Sequence, residues 1–272
     1  YMSEVFYNAK NLTVTNGFVR NPNRYYLEEF FERTPGLNVD IQNTSEAVRM
    51  IVNTNFEVLG TNASSDDVSF SSTEGGIELQ TDGADNDQVI ILPHLDTSQT
   101  AWTGIKWGTE NQVEWQCAIR TGASIADISI VGGLKLTNAG AYATDDNQAY
   151  FLYASDDDHG ALTTNANLHF VYSVAGTDYI TDLGVAVAAS TIYKLRIIID
   201  SNRQAAVFIN GVQYGLATTV VAGGTTQSRS TTLSNALTND IDLIPYVAVQ
   251  AHAASAKQIT LCYEKISRVL FE

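Results

Sequence analysis

Residues 193–211, with the sequence YKLRIIIDSNRQAAVFING, predict a β-hairpin followed by a second tight turn. Every second residue of Leu195–Ile199 is apolar and falls on one face of an extended strand. Asp200–Arg203 supplies a turn, because Asp and Asn side chains bond to the nearby backbone and tolerate left-handed angles. Asn210–Gly211 is a strong signal for a tight turn between two further strands. The whole stretch therefore indicates an antiparallel sheet.

The chain after residue 45 shows the same succession of short strands and turns. About fourteen strand-like segments follow one another at fairly regular spacing, separated by Gly, Asn and Asp. No strand–helix–strand alternation occurs, which argues against a parallel α/β sheet. We therefore expect residues 46–272 to form an all-β sandwich of two antiparallel sheets.

Residues 1–45 are expected to form an N-terminal arm that contains the one convincing helix candidate. Asn23 can cap a helix over residues 24–33, and the Thr-Pro-Gly sequence at 34–36 would end it. The aromatic side chains of this helix either pack on the sandwich of the same chain or dock on another subunit, and the sequence leaves both open. We predict protein contacts for four of them: Tyr25, Tyr26, Phe30 and Phe31.

Composition limits the partners of the chain. Its 272 residues are 44% hydrophobic, which is enough for a large core. The formal net charge is −15, from 15 Lys and Arg against 30 Asp and Glu. The sequence has no basic tract, which binding to nucleic acid or to an anionic membrane would require. We therefore expect neither nucleic acid nor a membrane as a partner.

Two cysteines, Cys117 and Cys262, each lie in an apolar, strand-like run. Buried thiols are the expected state for cysteines in such runs. A disulfide would require that their strands be neighbours, and the sequence does not determine whether they are.

Two acidic loops are candidates for an ion or glycan site. Asp145 and Asp146 precede the strand-like segment 149–153, and Asp156 and Asp157 follow it. Carboxylates at two loop ends supply hard oxygen ligands of the kind that Ca²⁺ prefers, but their spacing matches no EF-hand. We therefore expect no cofactor, and calcium remains an option without a specific motif. Solvated acidic loops are the simpler interpretation.

Two tryptophans, Trp102 and Trp107, flank a predicted loop and are candidates for stacking on sugar rings. Most aromatic residues of such a chain, including its 13 tyrosines, are explained by packing between two sheets. Exposure of the rings in the folded protein distinguishes the two interpretations.

No catalytic residues are predicted. The histidines are isolated and form no zinc-binding motif. Carboxylates with the Glu-x-Asp-x-Glu spacing of jelly-roll glucanases, which would hydrolyse a glycosidic bond, are also absent. The segment 250–252, Gln-Ala-His, is similar to one of two strand motifs of jelly-roll alginate lyases, but the accompanying Arg-x-Glu-x-Arg strand is missing. We therefore expect a protein that is not an enzyme, with a polysaccharide-degrading enzyme as a remote alternative.

Several segments carry a resemblance to known proteins: the hairpin 193–211 together with Phe56–Asn62, Leu92–Asp96, Gly133–Asn138, Ala143–Phe151 and Lys265–Arg268. The hairpin resembles one in the back sheet of concanavalin A-like (laminin G-like) jelly rolls. The set as a whole resembles structural proteins of tailed bacteriophages, particularly marine ones. This likeness runs from about residue 38 to the end. It is a similarity of the sequence as a whole and includes no active-site motif.

The resemblance implies a virion component, assembled in the host cytoplasm, with a concanavalin A-like jelly roll. Such a component would be a capsid decoration protein, a head fibre, or a minor capsid or tail subunit, without catalytic residues. The implied partners are the major capsid protein or other virion proteins, and further copies of the chain in a homo-oligomer. The alternative function is that of a lectin-like module that binds a glycan on the host surface.

Overall fold

The structure is a computed structural model that describes residues 23–32, 37–38, 56–71, 75–92, 107–140, 145–156, 162, 165–220 and 228–270. Almost all regular structure in these ranges is β-strand, and no helix in them is long or apolar enough to span a membrane. The strands are β1 (Arg24–Glu29), β2 (Leu37–Asn38), β3 (Phe56–Leu59), β4 (Val68–Phe70), β5 (Ile77–Gln80), β6 (Gln88–Leu92), β7 (Trp107–Gly108), β8 (Glu114–Thr121), β9 (Ile128–Lys135), β10 (Gln148–Ala154), β11 (Asn167–Val174), β12 (Thr177–Ala186), β13 (Ile192–Ile199), β14 (Ala205–Ile209), β15 (Val212–Tyr214), β16 (Leu216–Ala217), β17 (Arg229–Ser230), β18 (Asp242–Ala251) and β19 (Gln258–Val269).

Two large sheets contain nearly all of these strands. The eight-stranded sheet has the order β15-β14-β13-β8-β19-β5-β4, and β1 pairs with the C-terminal half of β19. The nine-stranded sheet has the order β12-β11-β10-β9-β18-β6-β3-β2, and β7 pairs with β18. Within the described residues the pairs of both sheets are antiparallel, except for β2 with β3. The predicted all-β fold of two antiparallel sheets is therefore confirmed.

The predicted hairpin is confirmed as the pair β13–β14. Asp200 Oδ1 accepts hydrogen bonds from the backbone N–H groups of Asn202 (2.8 Å) and Gln204 (2.9 Å), which close the turn. Asn210 has a φ angle of 51°, in the left-handed region, and turns the chain into β15. Both turns therefore form for the local reasons that the sequence indicates.

The predicted helix at residues 24–33 is wrong, because Arg24–Glu29 forms β1 instead. The six residues of β1 pair antiparallel with β19, from Arg24 opposite Val269 to Glu29 opposite Glu264. The alternation of Tyr, Leu and Glu along β1 suits a half-buried strand as well as a helix, and a free strand edge on β19 decides between them. The predicted boundary between the arm and the sandwich at residue 45 lies outside the described residues.

The main core lies between the two sheets. Alternate residues of the strands point into it, so that Ile197 and Ile199 of β13 and Phe151 and Phe170 of the other sheet belong to one buried cluster. Its largest side chains with no exposed surface, or nearly none, are Trp107, Trp115, Tyr172, Phe31, Phe56, Phe151, Phe170 and Ile77.

Both cysteines are free thiols. Cys117 is buried in the main core, whereas Cys262 is half-buried at a bulge between Leu261 and Tyr263, where β19 shifts its register against β8. Burial raises the pKa of the Cys117 thiol well above its usual range. Cys117 is therefore an unreactive core residue.

Candidate binding surfaces

The outward face of the nine-stranded sheet is apolar and buried, and we call it the covered face. Every residue of β10 is buried, so this strand has apolar neighbours on both sides of the sheet. The side that points away from the main core forms a second apolar cluster. Its members are Leu59, Ile90, Leu92, Val131, Tyr150, Leu152, Ala154, Leu162, Val171, Ile244, Tyr246 and Ala248.

A buried lysine lies at one end of the covered face. Lys135 Nζ is 4.9 Å from the ring centroid of Tyr246 and 5.9 Å from that of Tyr150. It donates hydrogen bonds to the carbonyl oxygens of Gly140 (3.1 Å) and Ala139 (3.4 Å), and the Tyr246 hydroxyl donates to Ala139 O at 3.1 Å. Burial lowers the pKa of Lys135 to about 8, and the nearby Asp145 carboxylate partly opposes this shift. These contacts hold the loop after β9 against the sheet.

Polar side chains on the covered face bond to one another. Gln88 Nε2 donates to Gln250 Oε1 at 2.8 Å, in a pair that is buried. Ser129 Oγ and His252 Nε2 are 2.6 Å apart. Gln250 and His252, which imitate an alginate lyase motif in the sequence, therefore each have an intramolecular partner.

The outward face of the eight-stranded sheet is mainly polar and largely half-buried, with Lys194 exposed, and we call it the basic face. It consists of the outward residues of β1, β5, β19, β8, β13 and β14. Cross-strand pairing aligns these residues in rows. One row crosses five strands through Glu28, Lys265, Gln116, Arg196 and Phe208.

Cations on the basic face lie over aromatic rings and beside carboxylates. Lys265 Nζ lies 2.9 Å from Glu28 Oε1 and 4.8 Å from the ring centroid of Tyr26. Arg196 Nε lies 2.9 Å from Glu114 Oε1, and its guanidinium lies 5.1 Å from the ring centroid of Phe208. The Arg196 side chain is 40% exposed, so its ion pair contributes little to stability and the guanidinium can reach a partner. The Lys265–Glu28 pair is more buried, at 20% and 8%, and it links β19 to β1.

The cations of the described ranges are unevenly distributed. Those on the basic face are Arg24, Arg120, Lys194, Arg196 and Lys265, whereas those elsewhere are Lys135, Arg203, Arg229, Lys257 and Arg268. The carboxylates on the same face are Glu28, Glu78 and Glu114. This face therefore carries a positive surplus in a chain whose net charge is −15.

The four predicted protein-contact residues divide between the surface and the core. Tyr26 lies on the basic face, and Phe30 follows β1 with 43% of its surface exposed, 6.1 Å from the ring of Tyr263. Tyr25 packs inward, and Phe31 has no exposed surface, so Phe31 cannot contact a partner in this conformation. The prediction therefore stays open for Tyr26 and Phe30.

The predicted ion and glycan residues are not brought together on one open surface. Trp107 is only 1% exposed and lies in the main core, so it is not a platform for a sugar ring. Asp145 is buried, and its carboxylate accepts hydrogen bonds from the backbone N–H groups of Leu136 and Thr137 at 3.1 Å and 2.9 Å. Asp145 is therefore occupied in fixing the loop after β9.

The remaining candidates of this set are exposed or lie outside the described residues. Asp146 and Asp156 are exposed at opposite ends of β10, whereas Trp102 and Asp157 lie outside the described ranges. In the part of the chain that the structure describes, no group of three or more His, Cys, Asp or Glu side chains is placed to hold a metal ion. Calcium binding thus stays a prediction.

Comparison with known proteins identifies the fold. No protein-family model and no curated protein sequence matches the chain. Among solved structures, peanut lectin in complex with a nine-residue peptide is similar, with a TM-score of 0.51 and 10% identity, over 92% of this chain and 99% of the lectin. A protein of unknown function from Shewanella oneidensis MR-1 is similar over 95% of this chain and 99% of its own, with a TM-score of 0.50 and 11% identity.

The potassium-bound carbohydrate recognition domain of Emp46p has a TM-score of 0.47 and 8% identity, over 78% of this chain and 88% of that domain. At these identities the likenesses concern the fold alone. The chain therefore has a lectin-like, concanavalin A-like jelly-roll fold, as the sequence resemblance implies.

Proposed function

We propose that this protein is a non-enzymatic structural subunit that acts by binding other proteins, with the basic face as its contact surface. The main support is the concentration of cations and aromatic rings on the outward face of one sheet of an acidic chain. Arg and Tyr are enriched at protein interfaces, where an aromatic or arginine anchor often dominates the binding energy. Tyr26, Arg196 and Phe208 are the proposed anchors.

A second copy of the chain is the partner that we propose for this face. Because the chain has a net charge of −15 while the basic face has a positive surplus, the rest of its surface offers the negative charge that the basic face attracts. Contact between two different patches of identical chains is heterologous, and it closes into a ring or extends into a filament. Shells and fibres built from many copies use contacts of this kind.

Charge reversal tests this contact. Lys194 is exposed on the basic face, so Lys194→Glu is expected to weaken self-association about tenfold or more by placing a carboxylate before an acidic partner. Arg229→Glu changes the net charge equally at an exposed position outside the face and is the matched control. Sedimentation velocity over a concentration series gives the dissociation constants. Equal effects of the two variants would contradict the proposed surface.

An aromatic pair gives an independent test. Phe30 beside the basic face and Phe70 on the edge strand β4 have almost equal exposure, 43% and 42%. Phe30→Ser is expected to weaken self-association, and Phe70→Ser is expected to leave it unchanged. A monomeric wild-type protein at the highest concentration measured would overturn the self-association itself.

We further propose that the particle built from this subunit is a virion, in which the chain is a capsid decoration protein, a head fibre, or a minor capsid or tail subunit. The sequence segments that resemble tailed-bacteriophage structural proteins support this placement. Mass spectrometry of purified virions is the test, and peptides of this chain at the abundance of a structural component are expected. A chain found only in the soluble fraction of infected cells would contradict it.

Glycan binding is the second candidate function. It is supported by the fold shared with peanut lectin and by the exposed Asp146 and Asp156 at the two ends of β10. A glycan array probed with and without calcium tests it, and an Asp146→Ala variant shows whether this loop takes part. Binding that survives calcium removal and the Asp146→Ala change would place the site elsewhere, and no binding at high protein concentration would exclude the function.

A further inference from the structure

The docking site of β1 contains a buried carboxyl group that β1 itself covers. Glu264 lies on β19 with 4% of its surface exposed, and its Oε1 accepts a hydrogen bond from Trp115 Nε1 at 2.8 Å. Within the described part of the chain, Glu264 Oε2 has no hydrogen-bond partner. An unpartnered oxygen of a buried carboxylate is costly, whereas a neutral carboxylic acid is tolerated more easily.

The strand that pairs with this part of β19 closes the space beside Glu264. Leu27 and Glu29 of β1 line an empty space of about 170 Å³, partly open to solvent, together with Glu264, Phe56, Lys265 and Ile266. Glu29 is opposite Glu264 in the antiparallel register, and its Oε1 accepts a hydrogen bond from Phe31 N at 2.9 Å. The Glu29 carboxylate therefore has a partner of its own, whereas Glu264 Oε2 has none among the described residues.

We propose that Glu264 makes the docking of β1 onto β19 proton-dependent: β1 is held most firmly when Glu264 is a neutral acid and loosens when Glu264 is an anion. In the undocked state the carboxylate reaches water. In the docked state the anion is confined in the core with one oxygen unpartnered. Glu264 therefore holds its proton more tightly in the docked state than in the undocked state.

The neighbouring groups do not supply a compensating charge inside the core. Glu29 faces Glu264 from β1, and the Cys117 thiol is opposite it on β8. Lys265 is the adjacent residue on β19, but its Nζ is 2.9 Å from Glu28 Oε1, on the outward side of β1. Phe56 of β3 contributes only an apolar wall.

The direction of the pH effect follows from these contacts. Burial raises the pKa of Glu264 to about 7, and the hydrogen bond from Trp115 opposes this only in part. A carboxyl whose pKa is higher in the docked state stabilises that state fully below its ordinary pKa. The stabilisation is lost as the pH rises from there to the raised value. Docking of β1 is therefore expected to weaken between about pH 4.5 and pH 7 and then to level off.

Loosening of β1 would also alter the basic face, because Tyr26 and Glu28 lie on this strand. This consequence rests on the proposed function, whereas the docking step does not. The test therefore measures docking on the isolated protein, so that its failure and a failure of self-association are separate results.

Hydrogen exchange of the β1 amides, expressed as protection relative to an unstructured peptide at the same pH, is the test. In the wild type, protection of residues 24–29 is expected to fall about tenfold or more between pH 5 and pH 7.5, while β13 keeps its protection. Glu264→Gln, which is neutral and keeps an acceptor for Trp115, is expected to remove this fall. Glu78→Gln, which changes a half-buried carboxyl of β5, is the control and is expected to keep the fall.

Two results would overturn the proposal: β1 protection that is independent of pH in the wild type, or the same fall in Glu264→Gln. Should Glu264→Gln not fold, Trp115→Phe serves instead. It removes the hydrogen bond that opposes the rise in the pKa of Glu264, so the fall is expected to extend to higher pH. A fall over the same pH range in Trp115→Phe would then contradict the proposed role of Glu264.

Discussion

The covered face and the basic face are the outward surfaces of two sheets with the same strand geometry, yet they have opposite character. On β10 all seven residues are buried, whereas on β13 buried residues alternate with exposed or half-exposed ones. A strand with apolar neighbours on both sides is a structural element, and a strand with one solvated side can present a surface. The difference locates the candidate contact surface on the eight-stranded sheet.

Removal of an apolar side chain tests this contrast with the largest expected effect. Leu152 on the covered face has no exposed surface, so Leu152→Ala is expected to lower the free energy of unfolding by about 2–5 kcal/mol. Ile198→Ala at a half-buried position of β13 is the matched change and is expected to cost about 1 kcal/mol or less. Urea denaturation measures both, and similar losses would break the distinction between the two faces.

A pH profile tests the buried lysine of the covered face. The pKa of Lys135 is lowered to about 8, so the folded state holds this proton less firmly than the unfolded state. The stability of the wild type relative to Lys135→Met is therefore expected to rise by about 3 kcal/mol as the pH increases from 8 to about 10.5. Parallel pH profiles for the two proteins would show that Lys135 is not buried as a cation.

The Asp145 carboxylate allows a test beside the covered face. Asp145→Ala removes the acceptor for the Leu136 and Thr137 N–H groups and is expected to cost about 1–3 kcal/mol. The adjacent Asp146→Ala, at an exposed position, is expected to change stability by less than about 0.5 kcal/mol. Thermal unfolding in calcium-free buffer measures both, and an equal loss would show that Asp146 also supports the fold and is not merely a solvated carboxylate.

Arg196 tests the basic face through a small expected effect on stability. Arg196→Ala removes an ion pair with Glu114 on the basic face and is expected to cost about 0.2–1 kcal/mol in unfolding. The same variant is expected to weaken self-association, because Arg196 is one of the proposed anchors. A large loss of stability without a change in association would assign Arg196 to the fold and not to the contact.

The sequence predicts the sandwich well because strand alternation and turn residues are local signals. The β13–β14 hairpin shows this, since Asp200 and Asn210 form their turns through their own backbone. Arg24–Glu29 has equally local features of a helix, but its conformation depends on the open edge of β19, more than 230 residues away in sequence. Local propensity cannot anticipate such an edge.

The residues of the candidate surface could be predicted from the sequence only in small part. Arg24, Arg196 and Lys265 are far apart in the sequence, and only cross-strand pairing gathers them on one face. Trp107 is an aromatic residue of the kind that stacks on sugar rings, but it lies in the core. No local sequence pattern indicates this burial. The continuous apolar run at 149–154 was the one available sign of a strand buried on both sides.

Tyrosine labelling compares the two faces most directly. Hydroxyl-radical footprinting read by mass spectrometry reports the accessibility of Tyr150 and Tyr246 on the covered face and of Tyr26 and Tyr263 on the basic face. We expect rapid modification of Tyr26 and Tyr263 in dilute protein, with protection at concentrations where the protein associates, and slow modification of Tyr150 and Tyr246 throughout. Rapid modification of Tyr150 and Tyr246, or no protection of Tyr26 and Tyr263 on association, would contradict the account.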